Sequence, residues 1–197
     1  SLKTYLGVQR NMFGETPAHC RLIELDHPVL TDEELERLRG LEESKGDIRS
    51  VTLNATFTVA KHGEGLARAL DKLCREASDA IEDGVSVIII SDRGHNERMA
   101  PIPSLLATAA VHHHLVRIGT RTKCGLIIES GEPREVHHFA LLIGYGASAV
   151  NPYLAYEAIE HLIEQGTIKL PLDKAVYNFK KAVGKGLLKV MSKMGIS

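Results

Sequence analysis

Polar side chains of three chemical types follow successive strand-like segments of the sequence. Asp92 and Arg93 come after the apolar run that ends at Ile90, and Glu129 and Asn151 end the next two runs. In a parallel α/β sheet the C-terminal ends of the strands are where ligands and neighbouring domains are met. If these strands are adjacent and in register, the side chains share one rim. A carboxylate, a guanidinium and an amide on one rim could bind a small polar ligand.

The same residue types also have a purely structural explanation. Asp, Ser and Asn are common at helix starts, so these side chains could cap helices and pair across loops, and we favour this interpretation. The rim is nevertheless retained as a candidate site. Its members are Ser91, Asp92, Arg93, Glu129, Ser130, Gly131 and Asn151.

Ten histidines raise the question of a metal site. His112 to His114 are consecutive on a predicted helix, where successive side chains point about 100° apart, so the three cannot converge on one ion. His137 and His138 are also consecutive on a predicted helix, so they cannot converge on one ion either. One histidine from each helix could still approach a common point, but packing or interface histidines are the favoured interpretation.

Two glycine pairs and one serine resemble known motifs, but the flanking residues or the neighbouring elements that those motifs require are absent. Gly144-Tyr145-Gly146 follows a predicted helix, whereas a dinucleotide fingerprint follows a strand, so a helix end is predicted. Gly184-Lys185-Gly186 falls inside a helical pattern and lacks the spacing of a phosphate-binding loop. Ser130 is not flanked as a nucleophile elbow requires. We therefore predict neither a nucleotide loop nor a serine nucleophile.

Composition limits the classes of partner. The chain has 197 residues, 44% of them hydrophobic and 25% charged, and a net charge of −1. This balance provides no basic field for nucleic acid or for a membrane surface. The apolar runs are too short to span a bilayer, and the N-terminus lacks the apolar core of a signal peptide. Three widely spaced cysteines indicate reduced thiols in the cytosol. They are Cys20, Cys74 and Cys124.

Residues 1–50 are predicted to form an extended arm followed by a capped helix. Leu22 to Leu25 is either an edge strand or part of the arm. Thr31 and Glu34 form a capping box, after which leucines recur on one helical face. Glu42 to Arg49 is charged and turn-like.

From residue 51 onward, strands and helices alternate. Strands are predicted at 51–57, 85–90, 125–128 and 147–150, and helices at 64–83, 103–118, 133 or 134–143, 152–165 and 172–194, with glycines weakening the last helix. This order implies parallel strands with right-handed crossovers, and too few units to close an eight-stranded barrel. We predict a single α/β domain over 1–197. Its sheet is parallel, open or an incomplete barrel, and flanked by helices.

The last predicted helix carries a basic face opposite apolar residues. It is either an ordinary solvated face or a docking surface for an acidic partner or a following domain. The lysines are Lys180, Lys181, Lys185, Lys189 and Lys193.

Several long segments resemble the central region of the glutamate synthase large chain. They are SLKTYLGVQRN, TPAHCRLIELDHPVLTDEEL, APIPSLLATAAVHHHLVR, ESGEPREVHHFALLIGYGASAVNPYLA and KAVGKGLLKVMSKMGIS. The resemblance covers almost the whole chain. It is far more specific than any short motif.

The resemblance implies a role in glutamate biosynthesis and ammonia assimilation. Enzymes of that family make two glutamates from glutamine and 2-oxoglutarate. An amidotransferase domain with an N-terminal cysteine nucleophile releases ammonia, and a barrel domain with FMN and an iron–sulfur cluster reduces the 2-iminoglutarate. The central region joins these two domains and helps to wall an ammonia tunnel. The implied partners are therefore these two domains of the same polypeptide.

The chain departs from the catalytic parts of that family. It begins with Ser1, and its cysteines lack cluster spacing. It therefore looks like a fragment with no catalytic residue and no cofactor of its own. The candidate rim is then a tunnel wall or an interface. The expected compartment is the cytoplasm, or the plastid stroma in a plant.

Two other functions stay open at this point. The chain could be an independent small enzyme or a module that binds an anionic metabolite at the strand ends. Alternatively, it could be an interaction scaffold that docks through the basic C-terminal helix.

Overall fold

Eight strands and six α-helices form within residues 2–43 and 47–196, the part of the chain that the computed structural model describes. The strands are β1 (Thr4–Leu6), β2 (Ile23–Leu25), β3 (Ser50–Asn54), β4 (Thr56–Thr58), β5 (Val87–Ser91), β6 (Met99–Pro101), β7 (Gly125–Glu129) and β8 (Ala149–Asn151). The helices are α1 (Asp32–Arg39), α2 (His62–Glu82), α3 (Ser104–Arg117), α4 (Val136–Gly144), α5 (Tyr153–Glu164) and α6 (Leu172–Met194).

A four-stranded parallel sheet with the order β3-β5-β7-β8 organises these elements. Every residue of β5 and β7 is buried, as their continuous apolar sequences predict for central parallel strands. The sheet is flanked by helices, and no closed barrel forms in the described part of the chain. The predicted open α/β architecture is confirmed.

The two faces of the sheet bury alternate residues of the same strands. Ile88 and Leu126 point to the face covered by α2, α3 and α4. Val87 and Ile127 point to the other face, which is covered by α1 and by Leu6 of β1. Because side chains alternate along a strand, each apolar run supplies both cores.

The N-terminal arm is a two-stranded ribbon. β1 and β2 pair antiparallel, with Thr4 opposite Leu25. Farther along, the arm covers the edge of the sheet: the Leu30 amide donates to the Val150 carbonyl at 2.9 Å, and the Val150 amide donates to the Pro28 carbonyl at 2.7 Å. The outer edge of β8 is therefore protected by backbone pairing within the chain.

One predicted strand is divided in the structure. The segment expected as a single strand over 51–57 forms β3 and β4, separated by Ala55. β4 leaves the parallel sheet and pairs antiparallel with β6, a three-residue strand that the sequence analysis did not predict. The Ala55 amide donates to the Ser91 carbonyl, and the Ile102 amide donates to the Ala55 carbonyl. These bonds anchor the point where the chain changes sheets.

Two smaller boundaries also differ from prediction. Ser91 is the last residue of β5 and does not belong to the following turn. α4 begins at Val136, after Glu135 takes an extended backbone conformation and its amide donates to His138 Nδ1 at 3.3 Å. Of the predicted charged turn at 42–49, residues 44–46 lie outside the described residues.

The glycines of α6 allow close packing instead of interrupting the helix. A Cβ on Gly186 would lie 2.3 Å from Val136 Cγ2, and one on Gly184 would lie 2.5 Å from His27 Nε2. α6 is continuous from Leu172 to Met194. Tertiary contact therefore outweighs the low helix propensity of glycine. No α-helix in the described ranges has both the length and the apolar character needed to cross a membrane.

Candidate functional site at the C-terminal edge of the sheet

The ends of three strands lie in one row. Ser91 of β5 is opposite Glu129 of β7, and Glu129 is opposite Asn151 of β8. Asn54 of β3 extends the row on the other side of Ser91. The structure therefore places the predicted strand ends on one rim, in register.

Glu129 is the electrostatic centre of this rim. It is 2% exposed, and its carboxylate accepts hydrogen bonds from Arg93 Nε at 2.6 Å and from Arg39 Nη2 at 2.9 Å. Arg39 belongs to α1 and also donates to Thr52 Oγ1. The carboxylate is thus bound from both sides by guanidinium groups, a strong form of charge-assisted hydrogen bond.

Burial by itself raises the pKa of Glu129, but hydrogen bonds from Ser91, Arg39 and Arg93 outweigh it and hold the pKa below its ordinary value. A carboxyl group with a depressed pKa stabilises the fold above its unfolded-state pKa, near 4.5. This contribution is lost as the pH falls from there through the folded-state value.

We expect Glu129→Gln to reduce the loss of stability on acidification. The free energy of unfolding, measured by urea denaturation between pH 6 and pH 3, should fall less steeply below about pH 4.5 in the variant than in the wild-type chain. Glu82→Gln, at an exposed position of α2, should reproduce the wild-type slope. Equal slopes for Glu129→Gln and wild type would show that Glu129 does not keep its depressed pKa.

Arg93 is surrounded by carboxylates. Besides its bond to Glu129, its Nη1 lies 3.4 Å from Glu157 Oε1 and its Nη2 lies 3.6 Å from Asp32 Oδ2. Its Cζ is 4.1 Å from the centroid of the Tyr153 ring, close enough for a cation–π contact. The guanidinium is therefore committed to groups of the protein itself, which argues against its use for an anionic metabolite.

Asp92 connects the end of β5 to the loop after β7 and to the first residue of α5. It is 4% exposed and accepts hydrogen bonds from Ser130 Oγ at 2.6 Å, from the Tyr153 hydroxyl at 2.8 Å and from the Gly131 amide at 3.3 Å. Burial and the bond to Asp92 raise the pKa of Tyr153. The candidate residues Asp92, Ser130 and Gly131 therefore form one bonded cluster.

Asn151 joins the sheet to the N-terminal arm and α1. It is completely buried, and its Nδ2 donates to the Leu30 carbonyl at 3.2 Å and to Asp32 Oδ1 at 2.8 Å. Its Oδ1 has no hydrogen-bond partner among the described residues. Asn151 thus reaches Arg93 only indirectly, because Asp32 contacts both.

The start of α3 is closed by a side chain of the same chain, because Glu132 accepts a hydrogen bond from the Ser104 amide at 2.7 Å. Cys20 is exposed, Cys74 is half-buried and Cys124 is buried. Within residues 2–43 and 47–196, no cluster of three or more His, Cys, Asp or Glu side chains is arranged to hold a metal.

Two of the consecutive histidines take part in packing. His114 Nε2 is 2.7 Å from Ser78 Oγ of α2, and His112 Nδ1 accepts a hydrogen bond from Arg121 Nε at 3.0 Å. Burial and the charge of Arg121 lower the pKa of His112. These contacts agree with the packing interpretation.

Sequence reasoning missed the side chains that complete the rim. Arg39, Asp32, Tyr153 and Glu157 come from α1 and α5, and no motif in their sequence indicates that they meet at the strand ends. The position of Arg39 in the last turn of a capped helix was the only signal, and it does not specify a partner. The assembled rim is a mostly buried polar edge whose side chains bond to one another.

Comparison with known proteins places the chain in a family. The sequence model described as glutamate synthase central domain matches residues 1–197. The chain is 44% identical to the glutamate synthase [NADPH] large chain of Bacillus subtilis (strain 168), covering 100% of this chain and 12% of that protein. It is 42% identical to the corresponding protein of Azospirillum brasilense, covering 100% of this chain and 13% of that protein.

The similarity extends to an enzyme named for another electron donor. The ferredoxin-dependent glutamate synthase of Pyropia yezoensis is 36% identical, over 100% of this chain and 13% of that protein. The chain thus spans about an eighth of the length of these relatives. On the match over its whole length, the chain belongs to the glutamate synthase central domain family.

Proposed function

We propose that this chain is the connecting domain of a glutamate synthase, which makes two glutamates from glutamine and 2-oxoglutarate. It holds the amidotransferase and FMN domains in fixed relation, contributes to the wall of the ammonia tunnel, and performs no catalysis itself. The observation that carries the proposal is the match of residues 1–197 to the central-domain family, while the chain covers only 12% of the Bacillus subtilis relative.

The burial and internal bonding of the rim support a spacer function. Ser91, Glu129 and Asn151 are 7%, 2% and 0% exposed, and the bonds of Glu129 and Asn151 tie the sheet to α1. A domain that keeps two active sites at a fixed distance and orientation needs an edge whose geometry does not change. Bonded, buried polar networks provide such rigidity.

The ionisation of the rim is also suited to ammonia. A tunnel wall should not supply protons, because ammonium would be trapped by its charge. Burial raises the pKa of Glu129, but hydrogen bonds from Ser91, Arg39 and Arg93 hold it below its ordinary value, so this carboxylate is deprotonated at neutral pH. Neither arginine releases its proton in this range.

Exposed apolar side chains support contact with other domains. Phe13 is 95% exposed, Met12 79%, Met194 69% and Tyr177 54%. Met12 and Phe13 are neighbours in the sequence, and adjacent exposed apolar side chains are typical of surfaces that a larger assembly covers.

The cofactors and the compartment of the parent enzyme follow from the same proposal, whereas its electron donor does not. FMN and the iron–sulfur cluster lie in the FMN domain. Relatives named for NADPH, NADH and ferredoxin are all similar over this whole chain, so its sequence does not select the donor. The compartment is the cytoplasm, or the plastid stroma in a plant, and one relative is named as chloroplastic.

The proposal is tested by coupling in the full-length large chain. We expect Arg93→Ala to raise, several-fold, the ammonia released to solution per glutamate formed during turnover on glutamine, because the rim loses the cation that joins Glu129, Asp32 and Glu157. Turnover on added ammonia should change far less. Released ammonia and glutamate are measured in the same reaction.

Arg75→Ala is the matched control, since Arg75 is exposed on α2. Glu129→Ala, Asp92→Ala and Asn151→Ala extend the series. If all four rim variants fold, as judged by circular dichroism, and keep wild-type coupling, then the rim does not wall the tunnel.

A further inference from the structure

A groove of about 1160 Å³ lies between α6, α5 and the segment that leads from β2 into α1. One wall is a stripe of α6 in which groove-lining residues recur every four positions, so each member lies next to the following one on the helix surface. This stripe consists of Leu172, Val176, Lys180, Gly184 and Leu188. From Leu172 to Leu188 it spans 17 residues, a rise of about 24 Å along the helix.

The groove has an apolar interior that is partly open to water. Leu25, Leu30 and Tyr156 line it from the arm and α5. Leu172 and Leu188 of α6 are 40% and 42% exposed although they face the groove. Apolar side chains of this size, left exposed along an elongated cleft, are the arrangement that receives the apolar face of an amphipathic helix.

The charge of the groove is predominantly negative. Eight carboxylates line it, against three lysines. Lys3 and Arg93 add two cations from outside the lining, by pairing with carboxylates of the arm, α1 and α5. Acidic groups still exceed basic ones. Among the described residues Glu33, Glu160 and Asp173 form no ion pair, so their charges are available to a partner.

We propose that this groove binds a basic, amphipathic segment of the same large chain, from outside residues 1–197. The apolar interior would receive the apolar side chains of that segment, and the unpaired carboxylates would receive its lysines or arginines. This inference rests on the proposed connecting function and assigns one docking surface to it. Asp32 and Glu157 belong both to the groove and to the rim around Arg93, so the docked segment adjoins the rim.

We favour the same polypeptide as the source of the segment, because most of a large chain of this family lies outside the matched residues. The chain covers only 12% and 13% of the Bacillus and Azospirillum relatives, so most of a protein of that size lies outside it. A segment of the same polypeptide binds intramolecularly, so its effective concentration at the groove exceeds that of a separate protein when its linker spans the distance. A weak amphipathic contact is then sufficient for stable docking.

The test is site-specific photocrosslinking in the full-length large chain. Tyr177, which lines the groove and is 54% exposed, is replaced by p-benzoylphenylalanine, and the cross-linked peptides are identified by mass spectrometry. We expect an intramolecular cross-link to a segment outside residues 1–197 that carries lysines or arginines beside apolar residues. The same probe at Val116, which is 50% exposed on α3 and outside the groove, should not reach that segment.

Charge reversal at the unpaired carboxylates is the second part of the test. Glu33→Lys with Glu160→Lys should lower the yield of that cross-link by about tenfold, which corresponds to about 1.4 kcal/mol. Glu82→Lys, an exposed glutamate of α2, should leave the yield unchanged. Cross-links confined to residues 1–197, to a second copy or to a separate protein would overturn the inference, as would a yield that is indifferent to charge.

The two proposals fail separately. Wild-type coupling in the rim variants, with the cross-link present, would remove the tunnel function and leave the docking surface. If the rim variants lose coupling but no cross-link to an outside segment forms, the tunnel function stands and the docking surface is removed.

Discussion

Asp92→Ala is expected to lower the free energy of unfolding of this chain by about 3–5 kcal/mol, because each buried donor left without an acceptor costs about 1–3 kcal/mol. Asp92 accepts from the Ser130 hydroxyl, the Tyr153 hydroxyl and the Gly131 amide. Ser130 and Tyr153 are 1% and 5% exposed, so water cannot replace the lost acceptor without opening the site. Urea denaturation at pH 7 measures the change.

Two further variants make this prediction specific. Asp92→Asn keeps one acceptor oxygen and should cost about half as much. Asp71→Ala, at an exposed position of α2, should stay within about 0.5 kcal/mol of wild type, as surface substitutions usually do. A cost for Asp92→Ala no larger than that of Asp71→Ala would mean that the cluster does not stabilise the strand ends.

Gly146→Ala is expected to cost about 3 kcal/mol, for two independent reasons. Gly146 has a φ of +111°, a backbone conformation that side chains with a Cβ rarely adopt, which costs about 1–2 kcal/mol. An added Cβ would also lie 2.2 Å from His112 Nδ1, and overpacking of this kind costs about 1–3 kcal/mol. The imidazole cannot easily retreat, because Arg121 donates to it and also to the Gly146 carbonyl.

Gly166→Ala separates the two contributions. Gly166 has a φ of +73°, but a Cβ there would meet nothing within 4 Å, so only the backbone strain of about 1 kcal/mol should appear. Combining Gly146→Ala with His112→Ala should recover the steric part in a double-mutant cycle measured by urea denaturation. Additive costs in that cycle would show that the two residues do not contact each other.

The sequence by itself determined the parallel sheet and the positions of the strand ends. Continuous apolar runs at β5 and β7 are typical of the interior strands of a parallel sheet, and their alternation with helices indicates right-handed crossovers. The carboxyl ends therefore had to meet at one edge, and Ser91, Glu129 and Asn151 lie there in register. The capping box of Thr31 and Glu34 is a local pattern, and it is present as predicted.

Features that depend on distant partners were decided only by the tertiary structure. β6 is too short to show a period, and it exists because β4 is available for pairing. Arg39 is 90 residues from Glu129 in sequence and binds it because the packing of α1 on the sheet brings the two together. The groove along α6 arises in the same way. Local patterns specify helices, strands and their buried faces, whereas the partners of a charged or exposed side chain are set by how those faces pack.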